Sequence, residues 1–138
     1  MSLTEYISPL IGRCVLAWFF LSQAWTYSHS WDATVQTMAM QQIPIAPVLL
    51  VLALAVMILG GLSLAIGLHA RHGALLLFAF TMIASLLMHP FWKIAEGAAR
   101  EADYEIFIRN VAIAGALLMI IGLGPGRFAI DNAGKKGR

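Results

Sequence analysis

One stretch of the sequence, residues 45–68, runs for 24 positions without a charged side chain. An α-helix of about 20 apolar residues is long enough to cross the hydrocarbon core of a lipid bilayer. The segment has to be helical there, because lipid offers no partner to unpaired backbone N–H and C=O groups. The stretch therefore predicts a transmembrane helix.

Three further apolar runs of similar length lie at about residues 7–27, 73–92 and 106–123. The composition agrees with four spans, since 60% of the residues are hydrophobic and the mean hydropathy is +0.80. Only 12% are charged, which is about half the charged fraction of a soluble domain. We predict an all-α protein in which residues 1–138 form one domain, a bundle of four transmembrane helices.

The charge and cysteine content exclude several functions. A formal net charge of +2 without a basic stripe does not predict nucleic-acid binding. Cys14 is the only cysteine, so the chain has no internal disulfide and no CxxC redox pair. Histidines and methionines occur near one side of the bundle without the close spacing of a copper site, and we predict no metal. No hydrolase triad or flavin motif is visible, so we do not expect catalysis by this chain alone.

The distribution of lysine and arginine predicts the orientation. One side of the bundle, which holds both termini, has six of these residues: Arg13, Arg71, Arg127, Lys135, Lys136 and Arg138. The other side has three: Lys93, Arg100 and Arg109. Since cytoplasmic loops carry the excess of basic residues, both termini are expected in the cytoplasm. We predict a multi-pass protein of the bacterial cytoplasmic (inner) membrane.

The connection between the first two spans, residues 28–44, contains no lysine or arginine. Asp32 is suited to cap the start of a short helix, and a proline closes the segment. Val35, Met38 and Ala39 would lie on one face of that helix, which we expect to face the bilayer. We therefore predict a short interfacial helix on the outer side.

Four acidic and three basic side chains are concentrated within residues 89–110, between the third and fourth spans. His89 and Trp92 lie at the end of the third predicted span, at a spacing that places both on one helical face. Arg109 and Asn110 lie about one turn inside the fourth. If the two spans are neighbours, these four residues form one cluster.

Two interpretations of this cluster remain open. It can be a polar clamp between two helices, in which Arg109 also pairs with Asp103 or Glu105 at the membrane boundary. Alternatively, His89 and Arg109 can hydrogen-bond a quinone carbonyl while Trp92 packs on the quinone ring. The four residues His89, Trp92, Arg109 and Asn110 are thus the candidate ligand-binding site.

Three segments carry a family resemblance: residues 58–77 (ILGGLSLAIGLHARHGALLL), 89–92 (HPFW) and 107–131 (FIRNVAIAGALLMIIGLGPGRFAID). In order and spacing they resemble the DoxX family of small bacterial membrane proteins, and the Gly-Pro-Gly-Arg segment is the most specific match. The chain departs from the family pattern at Met57, near a position where members often carry glutamate. It departs again in residues 22–27 (SQAWTY), where many members carry a glycine and a lysine.

The resemblance implies a four-helix membrane protein that belongs to a membrane oxidoreductase system, and some relatives are named as subunits of a thiosulfate:quinone oxidoreductase. We expect a non-catalytic anchoring or organising subunit whose partners are lipid and other membrane or redox subunits, or a second copy of itself. No cofactor is expected within the chain, except a quinone contributed to a shared pocket. The alternatives are a small-solute transport or permeation protein and a purely structural subunit.

The orientation can be tested with topology reporters. A reporter fused after Arg138 is expected to report the cytoplasm, and one inserted near Gln41 is expected to report the outer side. The reason is the distribution of six basic residues against three. A cytoplasmic signal from the insertion near Gln41 would contradict this orientation.

Overall fold

The computed structural model describes residues 2–133, and within that range it contains only helices and connections. The α-helices are α1 (Leu3–His29), α2 (Trp31–Met40), α3 (Ala46–Ile66), α4 (Ala70–Met88), α5 (Ala98–Leu123) and α6 (Ile130–Ala133), with one 3-10 turn (Phe91–Lys93). Four helices, namely α1, α3, α4 with the turn that follows it, and α5, are long and apolar enough to cross a membrane. The prediction of an all-α bundle with four candidate spans is confirmed.

The third and fourth spans have different ends from those predicted. Helix α4 stops at Met88, because the residue before a proline is disfavoured in helical conformation, and His89 before Pro90 has φ −126° and ψ 57°. The prediction that His89 and Trp92 share a helical face is therefore wrong. Helix α5 begins at Ala98 instead of near residue 106, with the charged residues of this segment in its first turns.

The predicted interfacial helix is present as α2. It begins at Trp31 after Ser30, so Asp32 lies in its first turn and does not cap it. The expectation that Met38 faces the bilayer is wrong, since Met38 is buried in a cluster with Ile43 and two residues of α3. Helix α2 therefore covers the bundle with its apolar face.

Helix α3 is central, because α1 and α4 both pack on it while α5 packs on α4. Two adjacent glycines permit this arrangement. A Cβ atom at Gly60 would lie 2.5 Å from Leu77 Cγ of α4, and one at Gly61 would lie 2.9 Å from Leu21 Cγ of α1. Since neighbouring positions of a helix point in different directions, the pair brings a helix close on each side.

The segment after α5 folds back over one end of the bundle and is held there by α1. Arg13, only 2% exposed, donates from Nη1 to Pro125 O (2.8 Å) and from Nη2 to Phe128 O (3.1 Å). We call Arg13 and residues 124–131 the clasp. The bundle end that holds it is the clasp end, and the opposite end is the cavity end. Arg13 was counted above among the membrane-surface bases, but its guanidinium is buried because it satisfies these two carbonyl groups.

Asp131 adds a second set of bonds to the clasp. Its two carboxylate oxygens accept hydrogen bonds from the backbone N–H groups of His69 (2.7 Å) and Ala70 (2.8 Å) at the start of α4. A helix start leaves such N–H groups without partners inside the helix. Asp131 N–H also donates to the carbonyl of Gly67 (3.0 Å). A carboxylate from the far end of the chain thus caps α4.

These contacts decide the ionisation of Asp131. Partial desolvation raises its pKa, but the two backbone donors and the neighbouring His69 and His72 side chains outweigh it, so the pKa lies below the ordinary value of 3.8. A carboxylate whose folded pKa is lowered stabilises the fold above its unfolded pKa, and this stabilisation is lost as the pH falls through the folded value. The cap therefore operates at neutral pH.

Replacing Arg13 with methionine should destabilise the bundle, because it leaves the Pro125 and Phe128 carbonyls without their donor. A hydrogen bond to a charged group contributes about 1.5–3 kcal/mol, so we expect the free energy of unfolding to fall by about 3 kcal/mol or more. Reversible unfolding in detergent micelles measures this change. The matched control is Arg100→Met, at an arginine outside the clasp that pairs only with the exposed Glu96, with an expected change within about 0.5 kcal/mol. Equal losses in both variants would contradict a specific role of the clasp.

Candidate ligand cavity

A cavity of about 320 Å³ lies at the cavity end of the bundle and is lined by α1, α2, α3, α4 and α5. No extensive contact joins α1 to α5, although both line the cavity. Its walls are mainly apolar, and three rings, Phe19, Phe20 and Phe80, contribute an aromatic surface. The cavity therefore exists because α1 and α5 stay apart at the end where no clasp connects them.

The half of the bundle nearer the clasp is filled by side chains. Leu64, Leu77 and Leu117 are fully buried there and come from three different helices. Among the residues of α3 that line the cavity, Met57 is the deepest, about two turns from Leu64. The cavity is thus a pocket that reaches toward the middle of the bundle from one end.

Four polar side chains line the cavity at a similar depth, and we call them the polar layer: Gln23, Thr81, Arg109 and Asn110. At 1.5 Å per residue, Gln23 lies about 9 Å from the end of α1 and Thr81 about 10 Å from the end of α4. Arg109 and Asn110 lie about 9–10 Å further along α5 than Asp103, which is level with the end of α4. Three helices thus bring polar groups to one level of an apolar cavity.

The polar layer has unused hydrogen-bonding capacity. Thr81 is 5% exposed, and its hydroxyl has no hydrogen-bond partner in the described structure. Arg109 forms no ion pair within residues 2–133, so its predicted pairing with Asp103 or Glu105 is wrong. Buried polar groups in proteins are nearly always paired, so the Thr81 hydroxyl is suited to a partner that is not part of the chain. Arg109 is exposed and Asn110 is half-buried, so both are accessible to such a partner from the cavity wall.

Asp103 pairs with His89 instead. His89 Nδ1 lies 2.8 Å from Asp103 Oδ1, and both side chains are largely buried. A carboxylate only accepts hydrogen bonds, so Nδ1 carries the hydrogen in this pair. His89 also lines the cavity, whereas the second oxygen of Asp103 is buried without a partner. The pair therefore places an oriented imidazole at the mouth of the cavity.

Trp92 does not line the cavity and is 47% exposed. It belongs to an aromatic cluster around Phe91, whose ring centroid is 5.3 Å from Trp92, 5.0 Å from Tyr104 and 5.2 Å from Phe107. This cluster attaches the 3-10 turn to α5 and holds His89 near Asp103. The structure thus brings three of the four candidate residues to one cavity and gives the fourth a place outside it.

Thr81 and the three phenylalanines were not among the candidate residues. A signal for Thr81 exists in the sequence, because the buried face of α4 follows helical spacing through Ala70, Ala74, Leu77, Thr81 and Ser85. The last two are polar residues on an otherwise apolar face. The phenylalanines carry no such signal, since an aromatic side chain in a transmembrane run faces lipid as readily as a cavity.

Comparisons with known proteins agree with this architecture. The profile of the DoxX family matches residues 8–90, over half of the chain. The chain is 28% identical to the inner membrane protein YqjF of Escherichia coli (strain K12), over 96% of this chain and 95% of that protein. It is 27% identical to the inner membrane protein YphA of the same organism, over 89% and 87% of the two chains.

A shorter match, 31% identical, covers 51% of this chain and 24% of the Surfeit locus protein 4 homolog of Schizosaccharomyces pombe (strain 972). No solved structure matches the chain. The family match over residues 8–90 and the four helices able to cross a membrane lead to one conclusion. The chain is an integral membrane protein of the DoxX family.

Proposed function

We propose that this protein is a non-catalytic subunit of a membrane oxidoreductase system and that its cavity holds a quinone. The observation that carries the proposal is the apolar, ring-lined cavity of about 320 Å³ with unpaired hydrogen-bonding groups in its wall. Sites for small ligands and cofactors are typically apolar, about 300–1,000 Å³ in volume, with a few placed polar groups. The names of the two E. coli relatives support an inner-membrane location, and the distribution of basic residues supports cytoplasmic termini.

A quinone matches the two levels at which the cavity is polar. It is a flat apolar ring with an oxygen on each of two opposite sides. The polar layer and the His89–Asp103 pair are separated by about 9 Å along the helices, before the reach of their side chains is counted. A ring between these levels lies beside Tyr27, Leu50 and Ala84, which line the cavity at that depth, and each oxygen meets one group of polar atoms. A hydrophobic tail leaves between α1 and α5 into lipid.

The arrangement favours ligand binding over the polar clamp. A clamp requires that the candidate residues bond to one another across the helices. Only His89 does so, through Asp103, whereas no hydrogen bond of Arg109 or Asn110 is found within residues 2–133. Leaving polar groups unpaired in an apolar surrounding is unfavourable, and a ligand that pairs with them removes this cost.

The same geometry argues against a permeation path. The cavity meets fully buried leucines before the clasp end, and the clasp covers that end.

A bound quinone also needs a second redox centre with which to exchange electrons. Residues 2–133 contain no group of three or more His, Cys, Asp or Glu side chains suited to a metal ion. The proposal therefore assigns that centre to a partner subunit.

Arg109→Leu should weaken quinone binding without unfolding the protein, because its guanidinium has no ion-pair partner in residues 2–133. Loss of a charge-assisted hydrogen bond costs about 1.5–3 kcal/mol, so we expect Kd for a short-chain benzoquinone to rise at least tenfold. Titration of the purified protein in nanodiscs measures this. The matched control is Arg100→Leu, on the same helix but outside the cavity lining. If Arg109→Leu lowers the melting temperature and leaves Kd unchanged, the clamp interpretation is correct.

The assignment as a subunit is tested by purification in a mild detergent. We expect the chain to co-purify in fixed proportion with a protein that carries a redox cofactor, identified by its absorbance spectrum and by mass spectrometry. The expectation follows from the need of a quinone for a second redox centre. A homogeneous oligomer of this chain alone, with solute flux in liposomes, would contradict it and favour transport.

A further inference from the structure

We propose that the cavity binds the reduced, dihydroxy form of its ring ligand, the quinol, more tightly than the quinone, and that the Asp103–His89 pair sets this preference. The inference rests on the proposed function and narrows it. It concerns which redox form of the ligand the protein binds more tightly. This preference depends on which of the two imidazole nitrogens of His89 carries the hydrogen.

The hydrogen-bonding role of His89 follows from its partner. Nδ1 is 2.8 Å from a carboxylate oxygen of Asp103, and a carboxylate has no hydrogen to donate. Nδ1 must therefore carry the hydrogen and donate it. In a neutral imidazole with its hydrogen on Nδ1, the other nitrogen, Nε2, has a lone pair and no hydrogen. In the neutral imidazole, the pairing with Asp103 therefore leaves Nε2 of His89 as a hydrogen-bond acceptor.

The acceptor is held in place and is available to a ligand. His89 lines the cavity, and Nε2 has no hydrogen-bond partner within residues 2–133. The position of the imidazole is maintained from two sides. Asp103 is anchored in α5, and Phe91, two residues after His89, packs against Tyr104 and Phe107 of the same helix. The imidazole of His89 is thus held against α5, the helix that also carries Arg109 and Asn110.

An acceptor at this position distinguishes the two redox forms. The hydroxyl of a quinol donates a hydrogen bond to Nε2. The carbonyl oxygen of a quinone has only lone pairs, so it meets Nε2 with no hydrogen between them, and both atoms lose a partner. An unpaired polar atom that the bound ligand shields from water costs more than a hydrogen bond gains.

The polar layer does not make this distinction. Arg109 donates equally to a carbonyl oxygen and to a hydroxyl oxygen. Thr81 and Asn110 each contain a donor and an acceptor, so they pair with either form. The preference for the quinol therefore depends on His89 at the cavity mouth, because its pairing with Asp103 leaves Nε2 able only to accept a hydrogen bond.

The test compares two affinities in one protein. The purified full chain in nanodiscs is titrated under anaerobic conditions with a decyl-substituted benzoquinone and with the corresponding hydroquinone. We expect Kd for the hydroquinone to be about tenfold lower than Kd for the quinone. In Asp103→Asn the amide can donate to Nδ1, so Nε2 can carry the hydrogen. The ratio of the two Kd values should then fall to about one or invert.

Two further variants separate the preference from general damage. Glu101→Gln removes an exposed acid two residues away on α5, and its ratio should equal that of the unmodified chain. His89→Gln places an amide that both donates and accepts, and its ratio should be close to one. A purely structural role of the pair would weaken both ligands equally and leave the ratio unchanged.

The outcomes distinguish the inference from the proposed function. If neither form binds the unmodified chain, the quinone proposal itself is wrong. If both bind with equal affinity, or the quinone binds more tightly, the quinone proposal stands and this inference is wrong. If the preference for the hydroquinone persists in both Asp103→Asn and His89→Gln, the Asp103–His89 pair does not set it and the inference is wrong. The ratio in the unmodified chain decides the central claim even if one variant does not fold.

Discussion

The buried guanidinium of Arg13 is the interaction on which the form of this protein depends. Helices α1, α3, α4 and α5 pack in sequence, and no extensive contact joins the first of them to the last. Arg13 makes that connection at one end by binding two carbonyl groups of the segment after α5. At the other end nothing equivalent joins α1 to α5, and the cavity lies there. One end is thus closed by hydrogen bonds, while the other is free to accept a ligand.

The Gly-Pro-Gly-Arg segment, which carried the resemblance in the sequence analysis, has a structural explanation in this arrangement. The Gly-Pro-Gly-Arg segment and the following aspartate form the clasp, whose carbonyls bind Arg13 and whose carboxylate caps α4. Gly67 belongs to the same assembly, because it has φ +72° and a Cβ there would lie 2.7 Å from Ala129 Cα. This segment, which lies outside the residues 8–90 that match the family profile, stabilises the fold and lies away from the cavity.

The deep wall of the cavity is apolar at one of the positions where the sequence departs from the family pattern. Met57, near the position where members often carry glutamate, is 2% exposed and forms part of the deep wall. A thioether there makes the deep wall apolar, so the polar side chains of the cavity, which also include Tyr27 and Thr34, lie nearer its mouth. This distribution of apolar and polar groups is the basis on which we propose a ring ligand with two oxygens.

The sequence by itself determined the class of the fold. Long uncharged runs leave a helical bundle as the economical structure in lipid. It also identified His89, Arg109 and Asn110 as a polar group near one boundary. These features are local in the chain, so composition and spacing are sufficient to find them.

Only the tertiary structure decided which groups meet. Arg13 and Phe128 are separated by 115 positions, and Asp131 and His69 by 62, so no local pattern relates them. The same holds for Asp103, which pairs with His89 and not with Arg109. The position of Trp92 is different, because the local effect of Pro90 moves it off the helical face of His89. A side chain's partner depends on how whole helices lie against one another, and that arrangement is fixed by packing across the bundle.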